Sequence, residues 1–231
     1  MVRQEKRAEQ IFKESTFRGD DGKFVVKLPK LDSKWSLGDS FKIAFQRFRY
    51  LENRFIKSRD LFEKYYEFLN EYLQLNHMVK VDSKQIPKDH YFVPHHVVFK
   101  DQSSTTKTRV VFDASCKTST NMTFNNVLLK GPVLQDDIFN LLIHFRFSKY
   151  AMSADIEKMY RQIWVDEENQ YFQMILWGNS PNEKLSIYKL RTVTYGTTSA
   201  PYLATKCLQT IGKEAASEYP LTSKMLIMLM I

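Results

Sequence analysis

The stretch Tyr150–Gln162, YAMSADIEKMYRQ, carries residues whose types and spacing could do chemistry. An apolar run ends in one carboxylate, Asp155, and an aromatic residue, Tyr160, follows five positions later. The run predicts a buried strand, and a carboxylate at the end of such a strand can hold a divalent cation at the floor of a cleft. The same carboxylate could instead close the strand by accepting hydrogen bonds from backbone amides, so this stretch alone leaves both interpretations open.

Two further segments carry charged and turn-forming residues. The first, TKTRVVFDAS, predicts a basic-to-apolar strand with Arg109 at its entrance and Asp113 near its exit. The second, LRTVTYGTTSAPYLA, predicts a turn at Tyr195-Gly196 and a helix that begins near Pro201. Together with the first stretch they supply cations, carboxylates and a close-approach turn in one chain.

In this order and at these spacings, the segments resemble the fingers and palm motifs of reverse transcriptases, most closely those of BEL/Pao long-terminal-repeat retrotransposons. The resemblance runs from about Phe24 to Lys224 and is most specific in RVVFDAS (109–115), LLKGPVLQDDIFNLL (128–142), SADIEKMYRQI (153–163) and VTYGTTSAPYLA (193–204). It implies an α+β fold with reverse-transcriptase-like fingers and a partial palm, in which an antiparallel sheet packs with helices and an amphipathic helical pair comes first. The implied function is that of an RNA-directed DNA polymerase domain in a retrotransposon Pol polyprotein.

Template-directed addition of deoxynucleotides by two-metal phosphoryl transfer needs carboxylates for the ions, a cation for the triphosphate and a check on the sugar. By the resemblance, Asp155 takes the position of the first metal-binding aspartate. The backbone carbonyl of Ile156 would be a further ligand of Mg²⁺, or of Mn²⁺ in its place. Tyr160 matches the residue that stands against the sugar and collides with a ribose 2′ hydroxyl.

The resemblance also assigns nucleotide-binding residues in the fingers. Arg109 matches the arginine that closes on the triphosphate, and its guanidinium is always charged and can bind bidentately. Lys100 and Lys107 are candidates for the accompanying lysine. Asp113 could be a second metal ligand, although its counterpart in the family is a fingers residue with a structural or template-side role.

Tyr195 and Gly196 match the turn that faces template and nucleotide. Many reverse transcriptases have Gln at the position of Tyr195, so a hydrogen-bonding role does not carry over, while packing beneath the base pair does. Gly196 fits a position where backbone approaches the substrate.

The sequence departs from the family near its end. Reverse transcriptases present two more aspartates in an aromatic-x-Asp-Asp turn after the helix predicted here over 199–218, and this sequence has no acidic residue after Glu218. The sequence thus stops matching the family before that turn. A single aspartate leaves two divalent ions short of oxygen ligands, so we expect the 231 residues to be inactive on their own. Two other interpretations stay open: a non-catalytic retroelement remnant that only binds nucleic acid, and a structural segment of a larger polyprotein.

Charge points to a polyanionic partner. The net charge is +8 and the isoelectric point is near 9.3. Lys and Arg outnumber Asp and Glu by 15 to 9 in the first 60 residues, so the basic excess is mostly amino-terminal. It could be a solvated helical face or a nucleic-acid contact. The expected partners are an RNA or DNA template with its primer, deoxynucleoside triphosphates and the remainder of the Pol polyprotein.

Other features exclude several classes of protein. Cys116 and Cys207 are far apart and have no CxxC partner, which predicts neither a disulfide framework nor a zinc site. His95 and His96 are adjacent in a predicted strand and would point to opposite faces, which argues against a shared metal. With no long apolar run and a polar amino terminus, we expect an intracellular protein without membrane contact. The resemblance implies a location in a cytoplasmic retrotransposon particle, with a nuclear phase as a further expectation.

Periodicity divides the chain into three regions. Residues 1–39 are predicted to be a linker or the tail of an upstream, protease-side region. Residues 40–77 carry apolar and aromatic side chains at helical spacing, which predicts two amphipathic helices whose aromatic stripes form core. Residues 78–231 are predicted to form the fingers and incomplete palm.

Within the last region, strands are predicted at 78–81, 91–100 and 107–112, the last two joined as a hairpin. A helix is predicted over Asp136–Phe147, with Asp136 and Asp137 as capping residues rather than metal ligands. Further strands are predicted at 150–155, 161–165, 171–177 and 184–190, before the helix over 199–218.

Overall fold

The computed structural model describes residues 2–31, 37–99, 108–135, 137–147, 154–178, 185–216 and 218. These residues form a mixed α+β structure. The helices are α1 (Arg3–Ser15), α2 (Phe41–Lys57), α3 (Arg59–Gln74), α4 (Phe124–Val127), α5 (Ile138–Phe147) and α6 (Ala200–Glu214). The strands are β1 (Phe17–Arg18), β2 (Phe24–Val26), β3 (Met78–Val81), β4 (His95–Phe99), β5 (Thr108–Phe112), β6 (Trp164–Val165), β7 (Met174–Trp177) and β8 (Ser186–Leu190).

The strands of the described residues form three small sheets. Their orders are β1-β2-β6, β3-β8-β7 and β4-β5. All pairs are antiparallel except β2 with β6, which is parallel. The largely antiparallel α+β pattern expected from the sequence is therefore confirmed, and β3, β5 and α6 lie close to their predicted positions.

The helical pair is confirmed, and its aromatic stripes form core. Ser58 ends α2 and begins α3, where its hydroxyl accepts a hydrogen bond from the Leu61 amide at 3.3 Å. Both helices cover the buried Trp177 of β7. Its ring lies 5.5–6.4 Å from the rings of Phe48, Phe55, Phe62 and Tyr65.

The amino-terminal region, predicted to be a linker or tail, is folded onto the rest of the chain. Helix α1 buries Ala8 and Phe12, and the Phe12 ring contacts that of Tyr202 in α6. Strand β2 pairs with β6, whose residues lie 139 positions further along the chain than their partners. Short apolar runs such as Phe24–Val26 carry too little periodicity to predict this pairing.

The second half of the chain has shorter strands than predicted. Single 3₁₀ turns, Met159–Gln162 and Asn169–Phe172, replace the first residues of the strands expected at 161–165 and 171–177. Of the strand expected over 150–155, residues 150–153 lie outside the described residues, and 154–155 have no regular structure.

Helix α5 begins two residues later than predicted. Asp137 precedes it and accepts a hydrogen bond from the Asn140 amide at 3.0 Å, which confirms its capping role; Asp136 lies outside the described residues. On the face predicted to be buried, Leu141 is buried, whereas Ile138 and Leu142 are each 58% exposed.

Two findings bear on the predicted class of protein. Among the described residues, no helix is long and apolar enough to cross a membrane. Cys116 and Cys207 are buried free thiols.

His95 is a buried core residue, bonded through both ring nitrogens. Its Nδ1 accepts from the Tyr65 hydroxyl, and its Nε2 donates to the Leu176 carbonyl at 2.8 Å. Burial lowers the pKa of His95 to about 4. The neutral imidazole therefore links α3, β4 and β7.

We expect the free energy of unfolding to depend on pH through His95. In the unfolded chain the His95 imidazole has a pKa near 6.5, whereas in the folded chain its pKa is about 4. Stability is thus complete above pH 6.5 and falls as the pH drops towards 4, by up to about 3 kcal/mol. Urea denaturation between pH 7 and pH 4 measures the slope. His95→Gln should be less stable at pH 7 and show a flatter slope, while the control His96→Gln should keep the slope of the original chain.

Candidate functional site

The turn at Tyr195-Gly196 is pressed against strand β5. The Tyr195 hydroxyl donates to the Val110 carbonyl at 2.8 Å, and its ring centroid lies 5.2 Å from that of Phe112. Gly196 has a φ of +92°, and a Cβ there would lie 2.2 Å from the Phe112 carbonyl oxygen. The predicted turn is confirmed. The backbone that Gly196 approaches in the structure is that of β5.

Asn125 holds the far side of the same turn. Its Nδ2 donates to the Gly196 carbonyl at 3.1 Å and to the Ser115 hydroxyl at 2.9 Å, while its Oδ1 accepts from the Thr198 amide at 2.8 Å. Sequence reasoning missed Asn125. The signal in the sequence was its side-chain amide, which can donate and accept hydrogen bonds at the same time and stands just before the apolar run Val127–Leu129.

Tyr72 of α3 lies between this turn and the next part of the site. The hydroxyls of Tyr72 and Tyr195 interact and shift each other's pKa, and the Tyr195 hydroxyl donates its proton to the Val110 carbonyl. Burial raises the pKa of Tyr195 to about 12 and also raises that of Tyr72, so both phenols stay protonated.

Arg161 is a buried cation that lies over the Tyr72 ring. Its guanidinium carbon lies 4.0 Å from the centre of the Tyr72 ring, and its Nη1 lies 2.7 Å from Oε1 of Glu71. Its Nε donates to Nδ1 of His77 at 2.9 Å, which requires that nitrogen to be unprotonated. Burial, with the nearby charge of Arg161, lowers the pKa of His77 to about 4.

These contacts position Tyr160, the neighbour of Arg161 in the same 3₁₀ turn. Tyr160 is half-buried against the core, and burial raises its pKa. The Ile163 carbonyl accepts from the Val193 amide at 2.9 Å, which joins this turn to the segment leading to Tyr195. The two motifs that carry Tyr160 and Tyr195 are therefore joined through their backbones.

Asp155 and Ile156 precede this turn in a segment without regular structure, and both are exposed. Glu157 is engaged elsewhere, with its carboxylate 2.5 Å from Nζ of Lys158. That hydrogen bond and the lysine charge lower the pKa of Glu157. Of the two carboxylates in this segment, Asp155 stands at the position that the resemblance assigns to a metal ligand.

Arg109 lies exposed on β5, opposite Val98 of β4. Arg109 directly precedes Val110, whose carbonyl accepts from the Tyr195 hydroxyl, so it lies near the Tyr195 turn. Its positive charge opposes the increase in the pKa of Tyr195 that burial causes. Lys100 and Lys107, the candidates for the accompanying lysine, lie outside the described residues.

Asp113 closes the end of β5. Its amide donates to the Pro94 carbonyl at 2.7 Å, and its Oδ1 accepts from the Ser115 amide at 3.1 Å. The first bond joins the backbones of the two ends of the hairpin, and the second is a local bond from backbone to side chain, so Asp113 closes the base of the hairpin. Within the described ranges, no group of three or more His, Cys, Asp or Glu side chains could hold a metal ion.

Comparison with known proteins adds no assignment. No family model matches the chain, and no curated protein matches it. The function is therefore argued from the residues of the site.

We expect Gly196→Ala to lower the free energy of unfolding by more than the strain of its positive φ alone explains. Gly22 also has a positive φ, +75°, but a Cβ there meets nothing within 4 Å. Gly22→Ala should therefore cost about 1 kcal/mol of unfolding free energy, the conformational term, and Gly196→Ala about 3 kcal/mol or more because of the added overlap with Phe112. Urea denaturation of both variants measures the difference; equal losses would contradict the close approach.

Proposed function

We propose that this chain is the fingers and part of the palm of a reverse transcriptase, an RNA-directed DNA polymerase of a retrotransposon Pol polyprotein. The supporting observation is the meeting of three separate motifs around Tyr72. The Tyr160 turn is held against the Tyr72 ring through Arg161, and the Tyr72 hydroxyl interacts with that of Tyr195. Arg109 directly precedes Val110, whose carbonyl accepts from Tyr195. The resemblance assigns these residues to the sugar, the nascent base pair and the triphosphate of one nucleotide.

Each of these side chains has a definite part in the proposal. Arg109 carries a permanent positive charge on an exposed strand face, where it can pair with phosphate oxygens. Tyr160 is held by its packing, so its ring can exclude a 2′ hydroxyl by bulk. Tyr195 has committed its hydroxyl to Val110 and is left with a packing role beneath the base pair.

Mg²⁺, or Mn²⁺ in its place, is the ion that this chemistry would use. When bound, the ions stabilise the charge that develops on the attacking and leaving oxygens. The fit to the described residues is incomplete, because they offer Asp155 and the Ile156 carbonyl at the matching positions and a pair of hard cations needs several more oxygen ligands. We therefore assign Asp155 the role of one ligand and propose that an aromatic-x-Asp-Asp hairpin supplies the others.

The proposed partners follow from the same reaction. They are an RNA or DNA template with its primer, deoxynucleoside triphosphates and the other parts of the Pol polyprotein. A cytoplasmic retrotransposon particle, with a nuclear phase, is the proposed location. The excess of cations over acids, +8 in net charge, favours the nucleic-acid partner.

Asp155→Asn tests the metal-ligand role. In a protein that joins these 231 residues to an aromatic-x-Asp-Asp hairpin, the variant should lower primer extension at least about a hundredfold, because an amide replaces the charged ligand. The control Glu157→Gln, two positions away, should extend normally since Glu157 is engaged by Lys158.

Equal losses in these two variants would contradict a specific role for Asp155. Nucleic-acid binding without any extension by the joined protein would favour the non-catalytic remnant.

Tyr160→Ala tests the sugar check in the same joined protein. Removing the ring should raise the use of ribonucleotides relative to deoxynucleotides by about tenfold or more, because a steric clash is removed. Single-nucleotide incorporation with the two sugars measures the ratio. Tyr160→Phe keeps the ring and should keep the discrimination; an unchanged ratio in Tyr160→Ala would make Tyr160 a core aromatic only.

A further inference from the structure

Helix α2 has a strongly cationic outer surface. It contains five Lys or Arg residues and one acid, Glu52. Arg47, Tyr50 and Arg54 are spaced three and four residues apart, so they lie on one face of the helix. The Tyr50 side chain, between the two arginines, is 69% exposed, although large aromatic side chains are usually at least partly covered.

These three side chains line a pocket of about 210 Å³ together with residues at the base of the β4–β5 hairpin. The hairpin contributes His96 and Asp113. The pocket therefore combines two guanidinium groups, an exposed phenol ring, an imidazole and one carboxylate.

The pocket lies at the end of a strip that begins at Arg109. Cross-strand partners share a face of a two-stranded sheet, and the pairs here are Val98 with Arg109 and His96 with Val111. Their neighbours Val97, Val110 and Phe112 are buried in the core, so this strip is the outer face of the hairpin. Asp113 lies on the same outer face, because side chains alternate between the two faces of a strand. It is four residues from Arg109, or about 13 Å at the rise per residue of an extended strand.

The chemistry of the pocket fits an unpaired stretch of nucleic acid. Arginine binds phosphate oxygens in a bidentate manner, and an exposed aromatic ring between cations is the arrangement on which single-stranded bases stack. A carboxylate would repel phosphate, but it can accept a hydrogen bond from the exocyclic amine of a base. A duplex offers phosphates but keeps its base faces covered, so it could use the arginines and not Tyr50.

We propose that the pocket formed by Arg47, Tyr50, Arg54, His96 and Asp113 binds single-stranded nucleic acid, with one base stacked on Tyr50. If Arg109 binds the incoming nucleotide, as in the proposed function on which this part rests, the bound strand is the unpaired template ahead of the nucleotide. The path runs from Arg109 along the outer face of the hairpin to α2.

The test measures binding of a labelled single-stranded oligonucleotide to the 231-residue chain by fluorescence anisotropy, with a blunt duplex of equal phosphate number as the comparison. Tyr50→Ala should weaken binding of the single strand at least about fivefold and change duplex binding less than about twofold. Tyr50→Phe keeps the stacking ring and should restore the affinity. Because Tyr50 is largely exposed, thermal melting should be the same for all three proteins.

The arginine contact is tested by salt dependence. Arg47→Ala should weaken binding of the single strand and reduce the slope of log affinity against log salt by about one. Lys42→Ala is the matched control: it removes one exposed charge from the same helix, about 140° around the axis from Arg47 and outside the pocket. It should change the affinity less than about twofold.

Three outcomes would overturn the pocket: an unchanged affinity in Tyr50→Ala, equal effects of Arg47→Ala and Lys42→Ala, or equal effects of Tyr50→Ala on single strand and duplex. The last two would mean a diffuse cationic surface. The binding assay needs no polymerisation. An affinity that depends on Tyr50, with no primer extension by the joined protein, would therefore support the pocket and contradict the polymerase. Primer extension with an affinity that does not depend on Tyr50 would support the polymerase and contradict the pocket.

Discussion

The contact of the Arg161 guanidinium with the Tyr72 ring, 4.0 Å from its centre, joins the parts of the chain on which the candidate site depends. A buried guanidinium keeps its charge, so it requires an anion and hydrogen-bond acceptors nearby. Glu71 and His77 meet that requirement, and both belong to α3 or to the residues just after it. The turn that carries Tyr160 is therefore fixed to the second helix of the helical pair by electrostatics as well as by packing.

This arrangement makes the helical pair part of the site. Tyr72 contacts Arg161 through its ring and Tyr195 through its hydroxyl, so α3 contacts both motifs that the sequence placed in the palm. The sheet β3-β8-β7 strengthens the same connection, because β3 follows α3 directly and pairs with β8. The amino-terminal segment is tied in similarly through the pairing of β2 with β6. Contacts between the described parts of the three predicted regions are thus extensive.

Local patterns predicted the elements well where periodicity was strong. The helices α2, α3 and α6 and the hairpin β4–β5 follow from regular spacing of apolar residues, and Pro201 marked the start of α6. The Tyr195-Gly196 turn was also identified, because a glycine there signals close backbone approach. In contrast, Arg161 was overlooked, because it stands among polar residues such as Lys158 and Gln162 and its sequence gives no sign of burial. Its partners Glu71 and His77 lie 90 and 84 positions earlier, and local spacing carries no information on such contacts.

The departure at Tyr195 shows how the site accommodates a residue that the resemblance did not expect. A glutamine would offer an amide to a ligand, whereas Tyr195 directs its hydroxyl to the Val110 carbonyl. Val110 is the direct neighbour of Arg109 in β5, and its side chain is buried. The Tyr195 hydroxyl holds β5 at Val110, and Gly196 approaches the same strand two residues later, at Phe112. The strand that carries Arg109 therefore has little freedom to move relative to the turn. Tyr195 therefore contributes to the candidate site by positioning β5, the strand that carries Arg109.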